Sequence, residues 1–201
     1  PNVDLIPQRV RLDGPRALVA EDGTRVSAGQ LVIAAGSRPV LPEIPGIDLP
    51  GVHTSDTVMR IDALPARVVV IGGGYIACEF AGIFSGLGSE VVQLVRGDRM
   101  LRSVDEEIAG HFAALAGRRW DLRFEARPTG ISARDGGGLA VETEAGSGGE
   151  RIEADIVLVA TGRQPNSDLV GAAEAGLDLH DDGRIAVDDF QRVLSGGEPV
   201  A

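Results

Sequence analysis

Lysine is absent from this 201-residue sequence, and cysteine occurs once, at Cys78. A single cysteine excludes both an internal disulfide and a cysteine metal cluster. No apolar run approaches the roughly 20 residues that a membrane-spanning helix needs, and the N-terminus has no basic-then-apolar signal pattern. We therefore expect a cytoplasmic protein without a membrane partner.

The charge balance excludes a second class of partner. The formal net charge is −11 and the isoelectric point is near 4.7, so nucleic acids and anionic lipid surfaces would be repelled. The three histidines, His53, His111 and His180, have no metal-ligand spacing, and we predict no metal site. A small anion bound by a local group of arginines fits this composition.

The stretch 68–102 combines a buried strand, a glycine-rich turn, a helix and a second strand. The apolar run 68–71 leads into the turn, a helical pattern continues to Leu87, Gly88 follows as a stop signal, and 91–95 is apolar again. This order is typical of a βαβ dinucleotide-binding unit. The candidate cofactor-binding residues of the turn are Gly72, Gly73, Gly74, Tyr75, Ile76 and Ala77.

Each position in this turn has a physical role. Gly72 allows the tight turn, Gly74 lets backbone amides approach a pyrophosphate, and Ala77 keeps helix and strand close. The phosphates would lie at the helix N-terminus, where free N–H groups favour an anion. The alternative is a strand-turn-helix without a ligand. The helical spacing predicts that Ile76, Phe80, Ile83, Phe84 and Leu87 form the buried face.

Arginines occupy the end of the second strand, where NAD-binding proteins usually carry an acid. Arg96 stands at that position, and Arg99 and Arg102 follow closely. Guanidinium groups bind phosphate through several charge-assisted hydrogen bonds, so the pattern favours NADPH over NADH. The alternative is that they are ordinary surface arginines.

The rest of the chain indicates strands with two more helices. We predict a helix at 54–64 begun by Ser55 or Asp56, and one at 103–117 capped by Ser103 with Ile108, Phe112 and Leu115 facing inward. The proline- and glycine-rich segment before residue 51 indicates a linker. The predicted strands lie at 3–10, 16–20, 24–26, 31–35, 120–124, 129–133, 139–144, 150–153 and 156–160, with 31–35 and 156–160 apolar enough to be buried on both faces.

Four segments together resemble the pyridine nucleotide-disulfide oxidoreductases, FAD enzymes that include glutathione reductase, dihydrolipoamide dehydrogenase and mercuric reductase. Within this family, the segments 33–39, 79–81 and 120–123 are most similar to those of mycothione reductases. The segments that carry the family resemblance are Ala34-Ala35-Gly36-Ser37-Arg38-Pro39, Gly72-Gly73-Gly74-Tyr75-Ile76-Ala77-Cys78-Glu79, 96–102, and Ala160-Thr161-Gly162-Arg163-Gln164-Pro165-Asn166.

The resemblance implies roles for individual residues. Arg96 and Arg102 would hold the 2′-phosphate of NADPH. Many family members have a histidine directly after the first of these arginines, whereas this sequence has Gly97 at that position. Tyr75 would cover the flavin until nicotinamide displaces it, and Glu79 would reach the flavin edge, where family members pair it with a lysine. The other implied cofactor contacts are Gly36 and Ser37 near FAD, and Gly162 and Arg163 near the dinucleotides.

The resemblance also implies an α/β fold, with a Rossmann-like NAD(P)-binding domain at 65–165, a linker at 39–64, and partial FAD-domain segments at 1–38 and 166–201. The implied function is the NADPH-binding core of an FAD-dependent reductase of a small disulfide, homodimeric in full length. The alternatives are another subfamily or a catalytically silent dinucleotide-binding module. The FAD glycine fingerprint, the redox cysteine pair and the C-terminal histidine-glutamate pair are not in these residues, so we expect an inactive fragment with apolar surface exposed at 31–35.

Overall fold

The computed structural model describes residues 2–145 and 148–200. They form two compact units. The central unit is the continuous segment 39–162, and the terminal unit combines residues 2–38 with residues 163–200.

The described secondary structure is mostly β. In chain order the strands are β1 (Val10–Leu12), β2 (Ala17–Ala20), β3 (Arg25–Ser27), β4 (Ser37–Pro39), β5 (Val52–Thr54), β6 (Arg67–Ile71), β7 (Glu90–Leu94), β8 (Asp121–Arg123), β9 (Arg127–Ala133), β10 (Leu139–Ala145), β11 (Gly148–Ala154), β12 (Ile156–Val159), β13 (Arg163–Pro165), β14 (Leu194–Ser195) and β15 (Glu198–Pro199). The α-helices are α1 (Tyr75–Leu87) and α2 (Glu106–Ala116), and a 3₁₀ turn spans Val58–Arg60.

A five-stranded parallel sheet is the core of the central unit. Its strand order is β5-β12-β6-β7-β8. Alternate residues of β6 enter different clusters: Val68 and Val70 pack with α1, whereas Val69 and Ile71 pack with the β9–β11 strands. Both faces of β6 are therefore covered, which explains why its sequence is continuously apolar rather than alternating.

The antiparallel meander β9–β11 covers one face of this sheet. β10 pairs with both neighbours, and Ile131, Val141 and Ile152 are buried against the sheet. The strands predicted at 129–133, 139–144 and 150–153 are confirmed, and Asp135-Gly136 lies in the turn that joins the first two. The sequence also predicts a turn at the glycine-rich 146–149, which lies partly outside the described residues, and its described part already belongs to β11.

Helix α1 packs on the sheet through small residues. Ala77, Cys78, Ala81 and Phe84 are buried, whereas Ile83 is 48% exposed and Leu87 is 62% exposed. The predicted face was therefore partly wrong: Phe84 is buried and Phe80 packs against the core as predicted, whereas Ala77, Cys78 and Ala81 take the other inward positions in place of Ile83 and Leu87. Gly88 ends the helix in the left-handed conformation as predicted, and its N–H donates to Phe84 O and Ser85 O.

Helix α2 begins later than its pattern predicted. Asp105, not Ser103, is the N-cap, and its side chain accepts hydrogen bonds from the N–H groups of Glu107 and Ile108 at 3.0 and 3.2 Å. Ile108 and Leu115 are 60% and 59% exposed. The inward positions are held by the buried Ala109 and Ala116 and by Phe112, which is partly buried and packs against the core as predicted.

Three further segments differ from expectation. Residues 31–35 form no strand, because no described strand pairs with them, and Val32 is 88% exposed. The predicted linker at 39–64 contributes β5 to the parallel sheet, and Ile44, Ile47 and Leu49 pack against its core. The helix predicted at 54–64 is wrong: the segment forms a single 3₁₀ turn at Val58–Arg60, whose N-cap Thr57 makes no side-chain capping hydrogen bond.

The terminal unit consists of small antiparallel elements and tight turns. β1, β2 and β3 form an antiparallel sheet, and the hairpin between β2 and β3 turns at Asp22-Gly23, a dipeptide typical of hairpins. Of the strand predicted at 3–10, only Val10 lies in a strand. β4 pairs with β13, and these strands lie in two of the segments that carry the family resemblance. Arg38 donates to both carboxylate oxygens of Asp168, at 2.9 and 2.6 Å.

We expect Asp168→Asn to weaken the terminal unit in a pH-dependent manner. The hydrogen bond from Arg38 lowers the pKa of Asp168 from its ordinary value of 3.8. A carboxylate with a depressed pKa contributes stability above its unfolded pKa and loses it as the pH falls through the folded pKa. The Tm difference between the two proteins should therefore be full above about pH 5 and vanish in more acidic buffer. A Tm difference that stays constant across that range would contradict this assignment.

Candidate dinucleotide-binding site

The turn between β6 and α1 can be built only with glycine at its first position. Gly72 has φ +144°, and a Cβ atom there would lie 2.2 Å from Ala160 O. It would also lie 3.3 Å from the Ala77 Cβ, and Ala77 is completely buried. The close packing of strand, turn and helix that the sequence predicted is therefore confirmed at both Gly72 and Ala77.

The turn presents a run of unpaired N–H groups. α1 starts at Tyr75 with Gly74 as N-cap, no side chain caps it, and its first turn has no acid. Cys78 N donates to Gly74 O, but among the described residues no acceptor faces the N–H groups from Gly73 to Ala77. A Cβ on Gly74 would have no atom within 4 Å, so the space in front of it is open. Such a group of N–H donors at a helix start suits a phosphate.

The arginine segment is attached directly to this turn. Leu101 N donates to Gly73 O at 2.7 Å, and Leu101 itself adopts a left-handed φ of +51°. A leucine rarely adopts this conformation, and such strain is frequent at ligand sites. The hydrogen bond holds residues 96–102 beside the N–H groups of the turn.

The three arginines of this segment have different surroundings. Arg96 is exposed and forms no ion pair or hydrogen bond within the described part of the chain. Arg99 is engaged by Glu106 at 3.2 Å and by the Arg102 carbonyl at 3.0 Å. Arg102 lies 3.5 Å from Asp98, and its guanidinium occupies the space that a side chain at Gly97 would fill, since a Cβ there would be 2.0 Å from Nη2. Arg96 and Arg102 are thus the arginines most available to an anion.

Sequence patterns missed one residue of the site, Gln93. This side chain is completely buried in β7. Its Nε2 donates to Gly72 O at 3.0 Å, and its Oε1 accepts from Trp120 Nε1 at 2.9 Å. The sequence does show one amide side chain within an otherwise apolar strand. A reading based on hydrophobic periodicity disregards such a single polar residue.

Tyr75 and Glu79 lie one helical turn apart on the open side of α1. Tyr75 is 64% exposed, and Glu79 forms no ion pair among the described residues. Both line a groove of about 460 Å³ between α1 and α2, with Leu101, Phe112 and Trp120 among its other walls. The structure therefore brings together the two side chains for which the sequence predicted catalytic roles, and those roles stay predictions.

Cys78 lies beneath this groove and is almost fully buried. Burial raises the pKa of its thiol. Because the thiolate is the reactive form, a buried thiol of this kind is a poor nucleophile. Cys78 serves the packing of α1, as its sequence context indicated.

The remaining predicted contacts belong to β4 and β13 and the residues before them. Ser37 Oγ and Ser37 O both accept hydrogen bonds from Arg163, at 2.8 and 2.6 Å. Gly36 has φ +68°, and its carbonyl accepts from Asn166 N. Gly162, the last residue of the central unit, has φ +155° and its carbonyl accepts from Val40 N. Ser37 and Arg163 are brought together, and the predicted FAD contacts stay predictions.

Residues 2–145 and 148–200 contain neither a candidate metal site nor a membrane-spanning helix. No group of three or more His, Cys, Asp or Glu side chains is placed to hold a metal ion. None of the helices in these ranges is long and apolar enough to cross a membrane.

Comparison with known proteins gives one family. The family model "Pyridine nucleotide-disulphide oxidoreductase" matches residues 2–196. A mycothione reductase of Mycobacterium tuberculosis is 43% identical over 204 residues, which cover 98% of this chain and 43% of that protein. A glutathione reductase of Burkholderia cepacia is 41% identical over 197 residues, covering 98% of this chain and 42% of its own length.

A solved structure agrees with the fold. The HOCl-induced flavoprotein disulfide reductase RclA from Escherichia coli superposes with a TM-score of 0.84 at 28% identity, over 98% of this chain and 45% of that one. The chain thus spans less than half the length of each of these three relatives.

Proposed function

This chain belongs to the pyridine nucleotide-disulphide oxidoreductase family, and from that membership we propose that its central unit binds NADPH for an FAD-dependent reductase of a small disulfide. Enzymes of this family use FAD and a nicotinamide nucleotide. The observation that carries the proposal is the run of N–H groups from Gly73 to Ala77, which no acceptor among residues 2–145 and 148–200 faces, together with Arg96, which pairs with none of these residues. Donors in this arrangement suit a pyrophosphate and a further phosphate.

Each group of residues has a defined task in this proposal. The N–H groups of the turn bind the pyrophosphate, and the open space at Gly74 admits it. Arg96 binds the 2′-phosphate. Arg102 gives up its contact with Asp98 and binds the same phosphate. Tyr75 would cover the flavin until nicotinamide displaces it, and Glu79 would reach the flavin edge, as the family resemblance implies. The bound nucleotide supplies the reducing equivalents that FAD passes to the disulfide.

For the substrate, we propose a low-molecular-weight disulfide of the mycothione type. The support is that relatives named mycothione reductase and glutathione reductase are 43% and 41% identical to this chain. For the whole enzyme, a cytoplasmic homodimer is also part of the proposal, because the resemblance implies it.

Calorimetric titration of the chain with NADPH tests the central claim. We expect one site per chain and a Kd that rises steeply with salt, because charge pairs between exposed groups are screened by ions. If no binding is detected even at the lowest salt concentration, the proposal is wrong.

A binding module without catalysis is the second candidate for the isolated chain. The buried state of Cys78, the one cysteine present, favours it, because a dithiol-disulfide cycle needs two thiols. We expect purified chain to lack the visible absorption band of flavin and not to oxidise NADPH when glutathione disulfide or mycothione is added. Stoichiometric flavin together with turnover would reject the module.

A further inference from the structure

We propose that Gln93 is a positioning residue of the nucleotide site: it orients the Gly72–Gly73 peptide so that the Gly73 N–H faces the phosphates, and Trp120 holds Gln93 in that orientation. The proposal rests on the proposed function and adds two residues to it. Both lie outside the glycine turn.

Gln93 has three side-chain hydrogen-bond partners, of which Cys78 Sγ, 3.9 Å from Nε2, is a weak acceptor. The other two determine the orientation of the amide. An indole N–H can only donate and a backbone carbonyl can only accept. Trp120 Nε1 lies 2.9 Å from Gln93 Oε1, and Gly72 O lies 3.0 Å from Gln93 Nε2. Flipping the amide would place donor against donor and acceptor against acceptor. Trp120 therefore determines which end of Gln93 reaches the turn.

The bond to Gly72 O also determines the direction of the next N–H. A peptide unit is planar, and in the trans form its C=O and N–H point in opposite directions. The described chain has no cis peptide. Because Gln93 draws Gly72 O toward the buried side of the turn, the Gly73 N–H of the same peptide points away from it. This N–H is the first in the run that has no acceptor.

The burial of Gln93 also calls for a functional explanation. Its neighbours Val91, Leu94 and Val95 in the same segment are apolar and buried. Burying an amide costs free energy unless all its groups are bonded, so its net contribution to stability is small. What an apolar residue could not provide is a fixed direction for the Gly72 carbonyl.

Ser89 offers a matched control in the same part of the chain. It is also buried, and its Oγ donates to the carbonyl of Pro65 at 2.7 Å. Ser89 precedes β7 and Pro65 precedes β6, so this bond lies at the ends of the two parallel strands opposite the turn. Replacing Ser89 with alanine therefore removes a buried hydrogen bond to a backbone carbonyl, as Gln93→Met does, but leaves the contacts of the glycine turn unchanged.

The test compares Gln93→Met, Trp120→Phe and Ser89→Ala with the unmutated chain. Calorimetry with NADP⁺ and with NAD⁺ gives the Kd values, thermal melts establish that each variant is folded, and ¹⁵N NMR follows the amide of Gly73. We expect Gln93→Met to raise both Kd values about tenfold and by the same factor, since it alters the pyrophosphate site and not the arginines. Trp120→Phe should raise them less, by about threefold. Both should shift the Gly73 amide resonance.

Ser89→Ala should lower the Tm and leave both Kd values and the Gly73 resonance unchanged. If folded Gln93→Met binds NADP⁺ as the unmutated chain does, the proposal is wrong. If Gln93→Met does not fold, Trp120→Phe decides on the same criteria. If the unmutated chain binds no NADP⁺, the proposed function fails, while the Gly73 resonance still shows whether Gln93 orients the turn.

Discussion

Replacing Arg96 with glutamate is expected to abolish the preference for NADPH over NADH that we propose for this protein. Arg96 has no partner among the described residues, so its guanidinium is available to the 2′-phosphate, and a carboxylate there would repel it. A hydrogen bond to a charged group contributes about 1–3 kcal/mol, so the ratio of the two Kd values should change by about five- to 150-fold. Titration calorimetry with both nucleotides measures this ratio.

Arg118→Glu is the control for the general effect of charge. Arg118 is exposed just after α2, and its replacement changes the net charge by the same amount. We expect this variant to lower the affinities for NADPH and NADH slightly and by the same factor, because it changes only the long-range electrostatic field. Equal affinities for NADPH and NADH in the unmutated protein would contradict the assignment of Arg96.

The second large effect is expected from Gly74→Val, which should abolish dinucleotide binding and preserve the fold. Gly74 has φ −85° and ψ 177°, which valine adopts readily, so no backbone strain arises. Its side chain would enter the open space in front of the helix start, where we place the pyrophosphate. The melting temperature should be unchanged or slightly higher, since replacing glycine reduces the entropy of the unfolded chain.

Gly86→Val in the same helix is the matched control. A Cβ at Gly86 also meets no atom within 4 Å, but this residue lies near the other end of α1. The Gly86→Val protein should therefore bind NADPH as the unmutated chain does. A Gly74→Val protein that melts cooperatively and still binds NADPH would show that the phosphate site has been assigned to the wrong residues.

The parts of the fold that sequence predicted well are those with strong local determinants. The strand-turn-helix at 67–87 combines a buried run, a glycine that must have positive φ, and a glycine stop at Gly88, so three independent signals agree. The arginines were recognised because their position after β7 is defined by the same unit. Sequence alone predicts the structure well where neighbouring residues determine both an element and the turn that follows it.

The errors arose where tertiary packing decides. Residues 31–35 are apolar enough for a buried strand, but a strand needs hydrogen-bonding neighbours and the described chain offers none there. β5 was missed because its segment is rich in proline and glycine, although it becomes an edge strand when β12 pairs with it. Gln93 was missed because its partners, Gly72 and Trp120, lie 21 and 27 positions away in sequence.

The discontinuity of the terminal unit has a consequence for how the protein folds during synthesis. The central unit is one continuous segment, so all its contacts can form once residue 162 has left the ribosome. The terminal unit must wait for its second half, since Arg38 and Pro165, which share a hydrogen bond, are 127 positions apart. Such long-range closure is entropically costly in an open chain and cheaper once the intervening residues are compact. The nascent chain should therefore acquire its parallel sheet first and complete the terminal unit afterwards.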